Sequence, residues 1–429
     1  MRAAVPLFER SGAHAPPGHT TGATTTRMRL RFDRISRPVL IDDSHALLPA
    51  LASVFRYWPH FQVEEDAAEE PVITIRPDDT GYRLHAEWQQ EPLHYSDPVN
   101  LACGLALSVN RAMLQEHESD HCLHGAGIEI GGRLVVLPNY YRAGKSALTV
   151  CLAAAGARVF SDDLLPLLPD DSGMALGISP RLRLPLPDSL GRRSLRFVKD
   201  RRGAANKAYL YVELEPHEQA PFSDSQRFGG FVLLDRRDSG AAHLSPVSDA
   251  EVLKQLVLRN FVRKVPVETS LNRLHELVAG SACYKLTYAN GDDAADLLVD
   301  RFRDADAQAR QPKRTDRAVG VDPVPPETTA AGGRYARRKP GIGERQVGGD
   351  LFLVDDAGQA IYHLNAVGAG LWRLMDGSCG ADEAIILLQQ AFPKVERTDI
   401  ERDVAALTAD LLGRGLLQLQ HDPTPGSET

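Results

Sequence analysis

The chain has 429 residues, 43% of them apolar and 25% charged, which is ordinary for a soluble globular protein and long enough for two or three domains. Its net charge of -8 argues against a general nucleic-acid binder, and no apolar run approaches the roughly 20 residues that span a bilayer, so we expect neither nucleic acid nor a membrane as partner. The five cysteines are scattered without a C-x-x-C pair, which predicts neither a disulfide framework nor a zinc site. A reducing cytoplasm is the simplest location.

Two stretches of the sequence lack the patterns of a folded core. Residues 1–27 are rich in Ala, Gly, Thr and Pro without the apolar region of a secretory signal, and residues 305–343 combine Pro, Gly and charge without periodicity. Such segments bury too little apolar surface to repay the entropy of ordering. We expect a disordered N-terminus and a flexible linker, which leave a large unit at residues 28–304 and a small unit at residues 344–421.

The large unit begins with short strand patterns, followed by an amphipathic helix. We expect that helix to begin with Asp97 as N-cap and Pro98 in the first turn, where a missing N–H costs nothing. Two strands, at residues 127–130 and 133–137, are joined by a glycine pair, which predicts a hairpin. Further elements are predicted over residues 28–32, 39–41, 72–75, 230–234, 249–261 and 283–287.

The second strand of this hairpin leads into a phosphate-loop motif. Gly144, Lys145 and Ser146 stand between that strand and a helical run, which is the context that a P-loop requires. Backbone N–H groups would point at the anion, Lys145 would reach the β- and γ-phosphates, and the Ser146 hydroxyl would help to hold Mg²⁺. The full pattern has glycine at position 139, where this chain has Asn, the next most tolerant residue for a positive φ. The predicted ATP-binding residues are Asn139, Tyr140, Tyr141, Arg142, Ala143, Gly144, Lys145 and Ser146.

A pair of carboxylates follows the next predicted strand. The run Arg158–Ser161 is typical of a strand, and Asp162 and Asp163 stand at its end. Ligands in open α/β sheets collect at such strand ends, so the pair is expected to lie beside the phosphate loop. One carboxylate would serve the metal and the other would take a proton from an attacking hydroxyl. The alternative is that both residues merely cap the next segment.

Taken together, these motifs resemble the HPr kinase family and its HPr kinase-related relatives. The family pattern is a His-Gly pair, a strand hairpin, a P-loop, a short helix and a strand that ends in two aspartates. It stands here as His124-Gly125, Gly131-Gly132, Ala143–Ser146 and Arg158–Asp163. The resemblance is clear over about residues 120 to 170. It implies a fold akin to that of phosphoenolpyruvate carboxykinases, a serine-directed kinase activity that uses ATP and Mg²⁺, and assembly as a homo-oligomer.

The resemblance also implies roles for individual residues. Asp163 would accept the proton of the substrate hydroxyl, His124 would lie beside it, and Ser146 would be a metal ligand. The predicted catalytic residues are Asp163, His124 and Lys145, and the predicted metal ligands are Ser146 and Asp162. Further candidate phosphate contacts, each with a solvated face as the alternative, are Arg181, Arg183, Lys207 and Arg259. The large unit would consist of an N-terminal part at residues 28–118 and a P-loop core at residues 119–304.

The small unit has the pattern of a hairpin followed by three helices. The hairpin is predicted over residues 351–364, Asn365 would cap the first helix, and a second helix would follow over residues 384–392. The last helix is predicted to begin with a capping box, Thr398 to Glu401. These elements suit an α+β winged-helix fold. DNA binding is disfavoured, because the last helix carries a single cation, Arg402, against four carboxylates.

This unit resembles the PqqD family, the recognition elements of ribosomally made, modified peptides. The matching residues are Tyr362–Asn365, Leu371-Trp372, Met375–Gly377 and the run Asp403–Leu417. In that family a leader peptide adds as a strand at the edge of the hairpin sheet, against the last helix. The resemblance implies peptide contacts at Ile361, Tyr362, Leu364, Leu407 and Leu411.

The sequence therefore predicts an α/β chain with a phosphoenolpyruvate carboxykinase-like P-loop kinase domain and a small α+β winged-helix domain. The leading hypothesis is a cytoplasmic kinase that phosphorylates a hydroxyl, serine first, of a precursor peptide or small protein. The C-terminal unit would capture this substrate, and the linker would raise its effective concentration at the kinase site. Two alternatives stay open. One is a weakly active or inactive nucleotide-binding scaffold that delivers a peptide to another enzyme, and the other is a small-molecule kinase.

Overall fold

The computed structural model describes residues 27–42, 45–63, 69–117, 121–138, 143–257, 267–303, 335–358, 360–375, 381–391 and 395–420. These residues divide into two compact units. The first contains the described residues up to 247 and those from 280 to 303, and the second contains 248–257, 267–279 and 335–420. No helix among the described residues is long and apolar enough to cross a membrane. The predicted α/β class is confirmed, since both units mix helices with sheets.

The first part of the first unit is a sheet covered by two helices. Its elements are β1 (Arg27–Phe32), β2 (Val39–Asp42), α1 (Leu48–Val54), β3 (His60–Val63), β4 (Ile73–Asp78), β5 (Gly81–Ala86), β6 (Leu93–Tyr95) and α2 (Pro98–Glu116). The six strands lie in the order β3-β1-β2-β4-β5-β6. Helix α2 begins as predicted, because the Asp97 side chain accepts hydrogen bonds from the N–H groups of Val99 and Asn100. Its residues Leu101 and Leu105 are fully buried in a core shared with the sheet.

The following elements form the rest of the first unit, apart from α5 and α6, which group with the second. They are β7 (His121–His124), β8 (Ala126–Ile130), β9 (Arg133–Leu137), α3 (Lys145–Ala154), β10 (Arg158–Ser161), β11 (Leu164–Leu167), β12 (Ser172–Met174), β13 (Arg181–Arg183), α4 (Arg192–Asp200), β14 (Arg202–Ala205), β15 (Tyr209–Val212), β16 (Ser225–Arg236), β17 (His243–Pro246), α5 (Asp249–Val257), α6 (Val267–Ala279), β18 (Ala282–Tyr288) and α7 (Gly291–Phe302). The predicted helix over 249–261 is described only as α5, since residues 258–261 lie outside the described part.

A nine-stranded sheet organises this region. Seven strands follow the order β10-β8-β9-β16-β12-β11-β7, β18 lies beside β16, and β17 lies beside β18. Strand β16 is parallel to both β9 and β18, with Phe231 opposite Val136 on one side and Cys283 on the other. The carboxyl ends of these three strands therefore share one edge of the sheet, which is where open α/β sheets bind ligands.

The predicted hairpin between β8 and β9 is confirmed. Gly131 and Gly132 have φ values of 59° and 70°, as a tight turn between right-twisted strands requires. A Cβ at Gly131 would also lie 2.3 Å from the Phe302 carbonyl oxygen. The turn therefore requires glycine at this position for backbone conformation and for space.

The second unit also contains β19 (Tyr335–Arg338), β20 (Gly343–Val347), β21 (Asp350–Val354), β22 (Ile361–Leu364), α8 (Ala366–Leu374), α9 (Ala381–Ala391), α10 (Arg397–Gly413) and β23 (Leu417–Gln420). Strands β20, β21 and β22 form one antiparallel sheet, and β19 pairs with β23. The predicted cap of α8 is confirmed, because Asn365 Oδ1 accepts the Gly368 N–H at 2.9 Å. The predicted capping box of α10 is wrong. That helix begins earlier, with Glu396 as N-cap and no side-chain hydrogen bond to the helix end.

Candidate functional site

A cavity of about 700 Å³ in the first unit gathers the motifs that the sequence singled out. Helix α3 and the residue before it supply Gly144, Lys145 and Ser146, and the turn between β10 and β11 supplies Asp162 and Asp163. The predicted site residues on the cavity wall are His124, Ala143, Gly144, Lys145, Ser146, Asp162 and Asp163. The remaining predicted loop residues, Asn139, Tyr140, Tyr141 and Arg142, lie outside the described residues.

The N-terminus of α3 presents anion-binding groups to the cavity. Gly144 is the N-cap with φ 94°, a left-handed conformation that favours glycine, and a Cβ there would lie 2.9 Å from the Tyr288 hydroxyl. The first N–H groups of a helix have no intrahelical acceptor, so those at the start of α3 are available to an oxyanion. Lys145, the first helical residue, is 8% exposed, so its ammonium adds positive charge where little water competes.

Asp163 faces the cavity in contact with His124. His124 Nε2 lies 3.2 Å from Asp163 Oδ1, and the Asp163 side chain remains 48% exposed. The backbone holds this residue firmly, since its carbonyl accepts the Gly125 N–H at 2.9 Å and its N–H donates to Ser161 Oγ at 3.2 Å. A fixed, accessible carboxylate beside an imidazole is suited to accept a proton from a bound hydroxyl.

Asp162 occupies a different environment. Its Oδ2 accepts the backbone N–H of Arg181 at 3.0 Å, whereas its buried Oδ1 has no hydrogen-bond partner among the described residues. Burial raises the pKa of Asp162 to about 6, against the opposing effect of the Arg181 N–H. The negative charge of Asp163 raises this pKa further, and the Ser146 hydroxyl lowers it. The two adjacent carboxylates are thus chemically distinct.

The cavity fits Mg²⁺ only if a nucleotide supplies part of its shell. In the described ranges, no group of three or more His, Cys, Asp or Glu side chains could hold a metal ion. Asp162 Oδ1 is a buried oxygen without a hydrogen-bond partner among the described residues, and the Ser146 hydroxyl lies on the same cavity. Because Mg²⁺ is typically held by one or two protein oxygens together with phosphate oxygens, these two groups are the fitting protein ligands.

The raised pKa predicts that Asp162→Asn stabilises the metal-free protein. Asn keeps an acceptor for the Arg181 N–H but removes a buried charge. We therefore expect the free energy of unfolding to increase by about 1–3 kcal/mol. The pKa of Asp162 is about 6 in the folded chain, above its value in the unfolded chain. Ionisation of this carboxyl therefore lowers the free energy of unfolding as the pH rises from about 4 to about 6, and the loss is constant at higher pH. The gain should therefore be larger at about pH 7.5 than at about pH 5 in urea unfolding with EDTA.

The matched control for this substitution is Asp188→Asn, which neutralises an exposed carboxylate of the same unit. It should leave the free energy of unfolding nearly unchanged at both pH values, because a solvated charge costs little. If Asp162→Asn does not increase the free energy of unfolding, or increases it equally at both pH values, the buried environment of this side chain is contradicted.

Several residues that line the cavity belong to none of the sequence motifs. Cys103 comes from α2, Tyr209 and Tyr211 come from β15, and Arg236 ends β16. Their sequence neighbourhoods give no sign of a shared site, because they meet only through tertiary packing. Of the candidate phosphate contacts, Arg181 and Arg183 line the cavity, Lys207 is not among its lining residues, and Arg259 lies outside the described residues.

The predicted peptide contacts lie on β22 and α10 of the second unit. Strand β22 pairs with β21 along one edge, and no described strand pairs with its other edge. Ile361, Tyr362 and Leu407 are partly exposed, and the Arg414 guanidinium lies 5.4 Å from the centre of the Tyr362 ring. The other two predicted contacts are buried in the core, with Leu364 5% and Leu411 1% exposed.

The second unit contains the part of the chain that a known family matches. Residues 350–417 match the model of the family described as Coenzyme PQQ synthesis protein D (PqqD). Among solved structures, one described as TbiB1 in complex with the TbiA(beta) leader peptide shares 18% identity, with a TM-score of 0.18, over 21% of this chain and 99% of that chain. No curated protein matches the chain. Residues 350–417 are therefore similar to the PqqD family, which confirms the PqqD-like part of the predicted relationship.

Proposed function

We propose that the first unit is an ATP-dependent kinase that phosphorylates a hydroxyl group, serine first, of a peptide captured by the PqqD domain. The observation that carries the proposal is the convergence of Lys145, the start of α3, Asp162, Asp163 and His124 on one cavity. Phosphoryl transfer needs donors for the phosphates, an oxygen ligand for a metal ion and an acceptor for the hydroxyl proton. These groups supply all three.

The geometry supports one division of roles. Lys145 and the first N–H groups of α3 hold the nucleotide phosphates, and Asp162 with Ser146 holds Mg²⁺, which neutralises phosphate charge when bound. The acceptor oxygen forms a bond to the γ-phosphorus, the bond to the bridging oxygen breaks, and ADP leaves. Asp163 takes the proton of the acceptor hydroxyl, and His124, 3.2 Å from it, orients this carboxylate.

The PqqD domain supports a peptide as the substrate. Its strand β22 has an edge without a described partner strand, and α10 lies in the same unit. A peptide that adds as a strand at this edge gains main-chain hydrogen bonds, while pockets for alternate side chains select its sequence. The partly exposed residues Tyr362 and Leu407 would line such pockets.

Peptide capture predicts that Leu407→Arg weakens binding about tenfold or more, because a charge replaces an apolar contact. Peptides are first selected from a random display library on the full chain, and their affinities are then measured for each variant. The matched control is Ala405→Arg, which adds the same charge at an exposed position two residues away on α10. Circular dichroism verifies folding. Equal affinities for both variants and the wild type would contradict a peptide site on this helix face.

The full proposal is tested with the same peptides and ATP labelled at the γ-phosphate. We expect the wild-type chain to transfer label to selected peptides faster than to scrambled versions of them. Peptide and nucleotide binding without any transfer would overturn the kinase and leave a delivery scaffold. Transfer that does not distinguish selected from scrambled peptides would overturn the coupling between the two units.

A further inference from the structure

Among the described residues, an arginine on the cavity wall has no carboxylate in ion-pair contact, unlike several other partly buried arginines of the first unit. Arg56, Arg158 and Arg201 each form an ion pair with a carboxylate. The Arg181 guanidinium instead lies 4.4 Å from the centre of the Tyr209 ring and contacts Cys103 Sγ. Within the described part of the chain, no carboxylate forms an ion pair with this guanidinium, and the hydrogen bond to Asp162 comes from the backbone N–H of Arg181.

Two features of the surroundings of Arg181 are suited to ligand binding. Stacking on Tyr209 fixes the plane of the guanidinium, which has five N–H donors. Ser179, two residues before it, is 1% exposed, and its Oγ has no hydrogen-bond partner among the described residues. Both residues line the same cavity as Asp162. A buried hydroxyl without a partner costs stability, so the Ser179 hydroxyl and the Arg181 guanidinium on one wall are suited to bind an oxyanion.

We propose that Arg181 and Ser179 form an oxyanion subsite beside Asp162. The proposal rests on the proposed function, because the oxyanion is either a carboxylate of the acceptor, close to its reactive hydroxyl, or the γ-phosphoryl group of the nucleotide. The carboxylate is planar and the phosphoryl group is tetrahedral, but each presents at least two oxygens that a guanidinium can bind through two parallel hydrogen bonds. The backbone N–H of Arg181 donates to Asp162, the proposed metal ligand, and Arg181 lines the same cavity, which places it near the proposed reacting groups.

The test compares two pairs of ligands that differ in one oxyanion. ATP against ADP, both with Mg²⁺, reports contact with the γ-phosphoryl group. O-phospho-L-serine against O-phosphoethanolamine, which lacks the carboxylate, reports contact with an acceptor carboxylate. The second pair is measured with and without Mg²⁺·ADP, so it gives a result even if the nucleotide does not bind.

Arg181→Gln should reduce one of the two preferences about tenfold or more, since hydrogen bonds between charged groups are the strong ones. A lowered preference for ATP assigns the subsite to the γ-phosphoryl group, and a lowered preference for phosphoserine assigns it to the acceptor. Arg181→Lys keeps the charge and tests the need for the planar fork, and Arg196→Gln on the exposed face of α4 is the control.

The inference is overturned if folded Arg181→Gln keeps both preferences, or if the wild type shows neither. This failure differs from failure of the proposed function. Nucleotide binding that depends on Lys145, together with both preferences unchanged in Arg181→Gln, would remove the subsite and leave the kinase proposal intact. Absence of nucleotide binding by the wild type would remove the kinase proposal itself.

Discussion

Asp163→Asn is expected to lower the rate of phosphoryl transfer by about 10²–10⁴-fold, the usual contribution of a general base, while ATP·Mg²⁺ still binds. The substitution keeps the shape of the side chain but removes its ability to accept a proton. The Asp163 side chain is 48% exposed at the cavity and contacts His124, so a substrate hydroxyl can reach it. Initial rates of label transfer and nucleotide titrations on the same preparation check both halves of the expectation.

Two further variants define what the Asp163 result means. His124→Gln should give a smaller loss than Asp163→Asn, because an orienting residue acts through the base. Asp188→Asn, at an exposed position, should retain the wild-type rate. An unchanged rate for Asp163→Asn would mean that this residue only caps the next segment. Loss of nucleotide binding in this variant would instead make Asp163 the metal ligand.

The sequence predicted best those features whose cause is local. Asp97 and Asn365 cap helices because a short acceptor side chain stands next to free N–H groups, and that signal is complete within four residues. The glycine pair of the β8–β9 turn is equally local. The start of α10 shows the limit, since Thr398 and Glu401 match a capping box although the helix already begins at Arg397.

The sequence patterns did not predict which elements pair when they are distant in the chain. Strand β16 lies between β9 and β12, which are distant from it in the chain, and this arrangement decides which strand ends share the cavity. Helices α5 and α6 precede the predicted linker, yet they group with the second unit. Both outcomes depend on tertiary packing, which overrides local preferences.

The same distinction applies to the site. A recognisable spacing predicted Lys145, Ser146 and the aspartate pair, and the structure places them on one cavity. The position of Arg181 depends on the neighbouring strand β15 and on α2, from which its aromatic and thiol contacts come. A single sequence carries no signal of these contacts, so Arg181 was indistinguishable from a solvated arginine.

Titration of the full chain with ATP and Mg²⁺, beside Lys145→Ala, tests the central claim most directly. Lys145 is 8% exposed at the first position of α3, and alanine there preserves the helix while removing the charge that would face the phosphates. We expect the variant to bind ATP about 100-fold more weakly, because it loses charge-assisted hydrogen bonds. Lys199→Ala, at an exposed position on α4, should bind ATP like the wild type.

Wild-type binding that Lys145→Ala loses and Lys199→Ala keeps is the result that the proposed nucleotide site predicts. Equal binding by all three proteins would place the nucleotide elsewhere. No binding by the wild type would contradict the kinase proposal and leave the PqqD-like segment as the functional part of the chain.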